Sequence, residues 1–150
     1  MPTPALNVAK YLLSLPDGES GELISNLKLQ KLLYYAQGYH LGLHGVDSPL
    51  FPETVYAWKH GPVVQTVYNH FVGAKDGPIK LVERPPRLND DAQLHLQRIH
   101  NMFGKYSAWA LRDMTHKESP WLENYKPDVQ NIIIPHKDLH RYFSRYVKKA

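Results

Sequence analysis

The histidines and one aromatic–basic corner are the residues in this chain whose spacing suggests chemistry. His40 and His44 are four residues apart, as are His136 and His140, so on a helix each pair faces one way, as two zinc-binding imidazoles must. A zinc site needs a third ligand, and neither interval holds the glutamate of an HExxH helix. His136 and His140 also lie among Lys137, Arg141 and Arg145, where a cation is repelled and a solvated surface is expected. His40 and His44 are expected to snorkel at the end of a mostly buried helix. The chain has no cysteine, which excludes disulfides and thiolate metal sites. No GxSxG elbow, P-loop or GxGxxG occurs, and helix caps and solvated faces account for the acidic residues at 90–91 and 118–123. The expectation is no metal, no cofactor and no enzyme activity.

The corner lies in AWKHGPVVQTVY, residues 57 to 68, which sets Trp58, Lys59 and His60 directly before the rigid pair Gly61-Pro62. Trp58 is expected to pack beside the turn, against Tyr34 or Tyr68, with Lys59 and His60 facing solvent. Tyr and Trp are the types that anchor protein interfaces, and a preorganised corner lowers the entropic cost of association. Tyr35 falls off the apolar stripe of its helix, which makes it a second interface candidate. Nucleic acid is the rival partner. Lys59, His60, Arg84, Arg87 and the basic face of the last helix can meet phosphates. No recognition helix accompanies them: the helix expected from Pro62 exposes Gln65, Thr66, Asn69 and His70, with no lysine or arginine before Lys75. DNA is therefore open but not favoured. A net charge of +4 permits an acidic protein or a nucleic acid and requires neither.

These residues must be positioned by a mainly helical chain. Residues 5–15 suit a short helix, followed by the breaker Pro16 and the turn Asp17-Gly18. Residues 26–44 form the longest expected helix, with Leu29, Leu32, Leu33, Ala36, Tyr39 and Leu43 as one apolar stripe, Ser25 or Asn26 as its cap and Gly45 as its end. Residues 46–60 read as a loop and a short extended segment. A helix from Pro62 to Gly73 follows, then a short strand within 78–87 stopped by Pro85-Pro86. Asn89 caps a helix with the stripe Ala92, Leu96, Ile99, Phe103 and Tyr106. Helical turns follow from Ser107 to Thr115 and from Pro120, and the chain closes with residues 132–134 and a helix from Pro135. The expected fold is mainly α (α+β): a compact single domain over residues 1–150, about six helices with a small β hairpin or two short strands. The apolar patch near the N-terminus is too short to span a bilayer and lacks a basic n-region and a cleavage site, so a cytoplasmic protein is expected.

Three segments carry a resemblance. KLQKLLYYAQGYHL (28–41), PLFPETVYAWKHGPVVQTVYNHF (49–71) and THKESPW (115–121) resemble, in order and spacing, the Panacea domain family, the SocA-like antitoxins also described as phage-associated GepA-type proteins. The resemblance runs from about Val8 to Tyr146. It implies an antitoxin of a bacterial or prophage toxin–antitoxin system that neutralises a nearby-encoded protein toxin by direct binding. The alternatives it leaves are an adaptor that delivers the toxin to a ClpXP-type protease and a DNA-binding regulator of its own operon. It brings no catalytic residue. The fold-defining positions are then Leu29, Leu32, Leu33, Tyr34, Trp58, Gly61, Pro62, Pro120 and Trp121. The toxin-binding candidates are Tyr35, Trp58, Lys59, His60, His116 and Lys117, with Thr115 and Glu118 capping or bonding locally.

Overall fold

The computed structural model describes residues 3–15, 24–80 and 84–147. Seven helices are described: α1 (Ala5–Ser14), α2 (Asn26–His44), α3 (Gln65–His70), α4 (Asp90–Phe103), α5 (Ala108–Thr115), α6 (Ser119–Leu122) and α7 (His136–Phe143). Three short strands join them: β1 (Val55–Trp58), β2 (Gly61–Val63) and β3 (Ile132–Ile134). Single 3-10 turns lie at Val72–Ala74 and Ser144–Tyr146. The expected mainly α fold with a small sheet is what forms.

Local chemistry sets the ends. The Ser25 hydroxyl accepts from the Lys28 amide at the start of α2, and Gly45, at φ 100°, ends it. Asn89 caps α4 by accepting from the Ala92 amide, with Asp90 and Asp91 in the positive first turn. Ser107 caps α5 in the same way through the Ala110 amide.

Helix α2 runs through the centre, with α1, α4, α5, α7 and β2 packed around it. Of its 19 residues 14 are buried, so it has no solvated face. Its apolar side meets Leu96, Phe103, Leu139 and Phe143 in one continuous core. The Phe143 ring stands edge-on to Tyr34, with centroids 5.5 Å apart, while Tyr35 stacks on Phe103 at 3.9 Å. Gly38 and Gly42 let α7 approach this closely. A side chain at Gly38 would enter the Phe143 ring, and a Cβ at Gly42 would lie 2.9 Å from the Phe143 carbonyl carbon.

The sheet is antiparallel in the order β2-β1-β3. Trp58 pairs with Gly61 and Tyr56 with Val63 on one side, and Val55 with Ile134 and Ala57 with Ile132 on the other. Three expectations change. Gly61-Pro62 opens strand β2, and the helix begins only at Gln65; Pro62 lies in an edge strand, where its missing N–H breaks no ladder. Gly73 sits inside a 3-10 turn instead of closing the helix, which ends at His70. The strand expected within 78–87 is represented by one bridge from Pro78 to Ser25; residues 81–83 fall outside the described residues, as do Pro16, Asp17 and Gly18. The third strand comes from Ile132–Ile134 instead.

Helix propensity alone predicts that Gly42→Ala stabilises α2 by roughly 1 kcal/mol. The close backbone of Phe143 and Ser144 reverses the sign: Gly42→Ala is expected to lose about 1–3 kcal/mol in urea unfolding.

Candidate functional site

The corner is built from below by α2. Lys31 is fully buried, and its ammonium donates to the Pro62 carbonyl at 3.0 Å. The Gln30 side chain accepts from the Val64 amide at 2.9 Å and donates to Asn26, which in turn donates to the Tyr68 carbonyl. These bonds fix the middle of β2 and the residue that follows it to the helix. Gly61 has φ 110°, and a Cβ there would lie 2.6 Å from the Lys31 Cε and 2.9 Å from the Thr115 hydroxyl. Conformation and space both demand glycine. From the other side the Trp121 indole donates to the Trp58 carbonyl at 2.7 Å, and the Trp58 indole donates to the Asn131 side chain at 3.1 Å. Trp58 packs edge-on to Tyr68, with centroids 5.2 Å apart, and not to Tyr34.

On this base Lys59 and His60 form the exposed turn between β1 and β2. His60 Nδ1 accepts from Arg112 Nε at 3.1 Å, and the Arg112 guanidinium lies 4.6 Å from the centre of the Trp109 ring. Trp109 is 56% exposed, a large flat side chain held in place by a cation. Burial, then Arg112, Lys59 and Lys31, hold His60 below its ordinary value, so its ring is neutral near pH 7 and free to accept that bond. A cleft of about 450 Å³ opens beside the turn, lined among others by Trp58, Lys59, His60, Lys75 and Trp109.

The toxin-binding candidates separate here. Trp58, Lys59 and His60 come together, and Lys117 is exposed. Tyr35 is not on the surface: it is 1% exposed, because α2 is covered on both sides of its apolar stripe. His116 does not face outward either; it is half-buried and stacked at 3.9 Å on Trp121, which stacks at 4.6 Å on Tyr125. Glu118 does not bond locally. It accepts from the Tyr34 hydroxyl at 2.9 Å and the Tyr35 hydroxyl at 2.8 Å, tying α6 to the middle of α2 across more than 80 residues of chain. Thr115 does bond locally, donating to the Arg112 carbonyl. The motif residues Leu29, Leu32, Leu33, Tyr34, Gly61, Pro62, Pro120 and Trp121 are all buried. Lys31, Trp109, Arg112 and the Glu118 bonds were not singled out from the sequence. The one signal for Lys31 was its place beside Leu32 and Leu33 in a helix that carries no acidic residue.

The histidine pair at 40 and 44 does share a face, with ring centroids 4.5 Å apart, and His95 joins it at 5.4 Å from His40. His40 Nδ1 is bonded to the Ser48 carbonyl and His95 Nε2 to the Ala36 carbonyl. Burial, then His95 and His44, lower His40 to about 4. Among the described residues no three His, Asp or Glu side chains are grouped to hold a metal ion.

A family model described as "Antitoxin SocA-like, Panacea domain" matches residues 29–122, which span α2, the corner and the Trp121 stack. The chain belongs to this SocA-like antitoxin family. Among curated proteins it is similar to Antitoxin SocA of Caulobacter vibrioides (strain NA1000 / CB15N), 35% identical over 114 residues. The match covers 65% of this chain and 58% of that antitoxin, so less than two thirds of the relative's length is represented. No solved structure matches.

Two buried charges give the site a distinctive pH response. Burial raises Glu118 from 4.5 to about 7, against the lowering effect of the Tyr35 and Tyr34 hydrogen bonds. Burial, helped by Arg112, lowers Lys31 from 10.5 to about 7. Between pH 4.5 and 7 the folded protein keeps a Glu118 proton that the unfolded chain releases, so stability falls as pH rises. Between pH 7 and 10.5 the unfolded chain keeps a Lys31 proton that the folded protein releases, so stability rises. These two groups therefore contribute a dip near neutrality, the lower limb on the order of 3 kcal/mol and the upper on the order of 5 kcal/mol. In urea unfolding across pH, Glu118→Gln is expected to flatten the lower limb and Lys31→Met the upper.

Proposed function

We propose that this protein is a cytoplasmic antitoxin that neutralises a cognate protein toxin, encoded nearby, by direct binding and without a cofactor or catalytic turnover. Family membership supports the antitoxin role. The observation that carries direct binding is the corner itself. It displays Lys59 and His60 beside the clamped Trp109 on a backbone already tied down by Lys31, Gln30 and Trp121. Tryptophan and arginine are frequent interface anchors, and a surface rigid before binding loses little entropy on association. The fold-defining positions Leu29, Leu32, Leu33, Tyr34, Gly61, Pro62, Pro120 and Trp121 are buried and serve to hold this surface in shape.

Co-expression with the adjacent open reading frame, scored for growth rescue and for co-purification on a tag, tests the reading. Rescue with a stable complex is expected. Rescue without a complex would replace direct binding by delivery to a ClpXP-type protease or by repression of the operon. Within the complex, Lys59→Glu with His60→Glu is expected to weaken affinity by about tenfold or more. Both side chains are exposed, so the melting temperature should move by no more than about 2 °C. Unchanged affinity would remove the corner from the interface.

A further inference from the structure

The cleft beside the corner gathers basic and aromatic side chains on the floor that α2 supplies. Trp58 and Trp109 line it from different elements, Lys59, His60 and Lys75 line it too, and Lys31 lies beneath its wall. Asp76 is the one carboxylate among the lining residues. Neither Lys59 nor Lys75 has an ion-pair partner among the described residues. Lys31 makes one hydrogen bond, to a carbonyl, and the charge beside it is a second cation, Arg112. Arg112 is balanced by Asp113, but Lys59 and Lys75 stand against the single carboxylate of Asp76, and that excess of positive charge leaves a field that an entering anion would neutralise.

Size and surroundings narrow the occupant. At about 450 Å³ the cleft falls within the range of ~300–1,000 Å³ that takes a small ligand. That is room for a few side chains of an extended segment and not for a helix ~10 Å across. A phosphate backbone needs a continuing basic track. Here Asp76 lies within the lining, and the neighbouring Arg112 is already paired with Asp113 at 3.1 Å.

We infer that this cleft receives an acidic segment of the protein partner, an Asp or Glu side chain held by Lys59 and Lys75 with a neighbouring aromatic side chain against Trp58 and Trp109. The inference rests on the direct-binding reading above and adds the chemistry of the bound segment. Positive charge at the mouth draws the carboxylate in, and the indole faces bury the ring beside it.

The test is an NMR titration of the full chain with the capped peptide acetyl-Gly-Glu-Trp-Glu-Gly-amide and its Gln-Trp-Gln counterpart. With the Glu peptide, the indole N–H signals of Trp58 and Trp109 and the Gly61 amide are expected to shift saturably at about millimolar concentration. The Trp121 indole, bonded to the Trp58 carbonyl on the buried side, should shift least. The Gln peptide should bind about tenfold more weakly or not at all, and added salt should weaken the Glu peptide. Lys59→Ala with Lys75→Ala, two exposed positions, should abolish the shifts while the melting temperature holds. Equal shifts from both peptides, or no shifts, would overturn the inference. So would a response at the same residues to adenosine monophosphate but not to the Glu peptide, which would make the cleft a nucleotide site. The titration uses no toxin. Peptide binding with a failed co-expression would sink the antitoxin reading and keep the cleft; a toxin complex with no peptide response would do the reverse.

Discussion

A helix buried on every side cannot send its polar side chains to water, and α2 carries Asn26, Lys28, Gln30, Lys31 and Gln37 into the interior. Each must end on a protein partner or cost several kcal/mol. They end on the backbone of the segments packed around the helix, strand β2 and its flank among them. Lys28 reaches the Gly104 carbonyl, Lys31 the Pro62 carbonyl and Gln30 the Val64 amide. Gln37 takes both the Leu50 amide and the Phe51 carbonyl, as a strand neighbour would. Satisfying the helix and shaping the loops are therefore the same set of bonds.

The corner at Trp58–Val63 inherits its rigidity from this arrangement. Three short strands make a weak sheet by themselves. Lys31 and Gln30 from below, and Trp121 from the side, remove the freedom the sheet leaves. The Glu118 carboxylate, bonded to Tyr34 and Tyr35, holds the start of α6 against α2 and so keeps Trp121 in register with Trp58. The cost is two charges buried where water cannot stabilise them, which is why Lys31 and Glu118 both move toward about 7. The turn residues Lys59 and His60, with Trp109 beside them, are exposed on this frame.

The helices were legible because their signals are local. Ser25, Asn89 and Ser107 cap as their types dictate, and the bounds of α2 follow from Ser25 and Gly45. The corner was legible as a feature but not as a structure. Gly-Pro before an apolar run suits a helix start, and only the pairing of β1 with residues 61–63 makes it a strand. Tyr35 was misplaced because a single apolar stripe implies one buried face, whereas α7 and α4 cover the flanks as well. Gly38 and Gly42, four residues apart in mid-helix, were the local trace of that close packing. The Glu118 bonds and the Arg112–His60 bond join residues 52 to 84 apart in sequence, and no periodicity reports such contacts.

The proposed toxin partner reads the corner that α2 holds in place. Hydrogen–deuterium exchange of the protein alone and in complex with the co-purified product of the adjacent reading frame tests it most directly. New protection is expected at residues 58–61 and 107–112, the segments that carry the exposed Lys59, His60 and Trp109, with little change in the already protected amides of α2. Protection confined to another face, such as the His40–His95 side, with the corner amides unchanged, would contradict it.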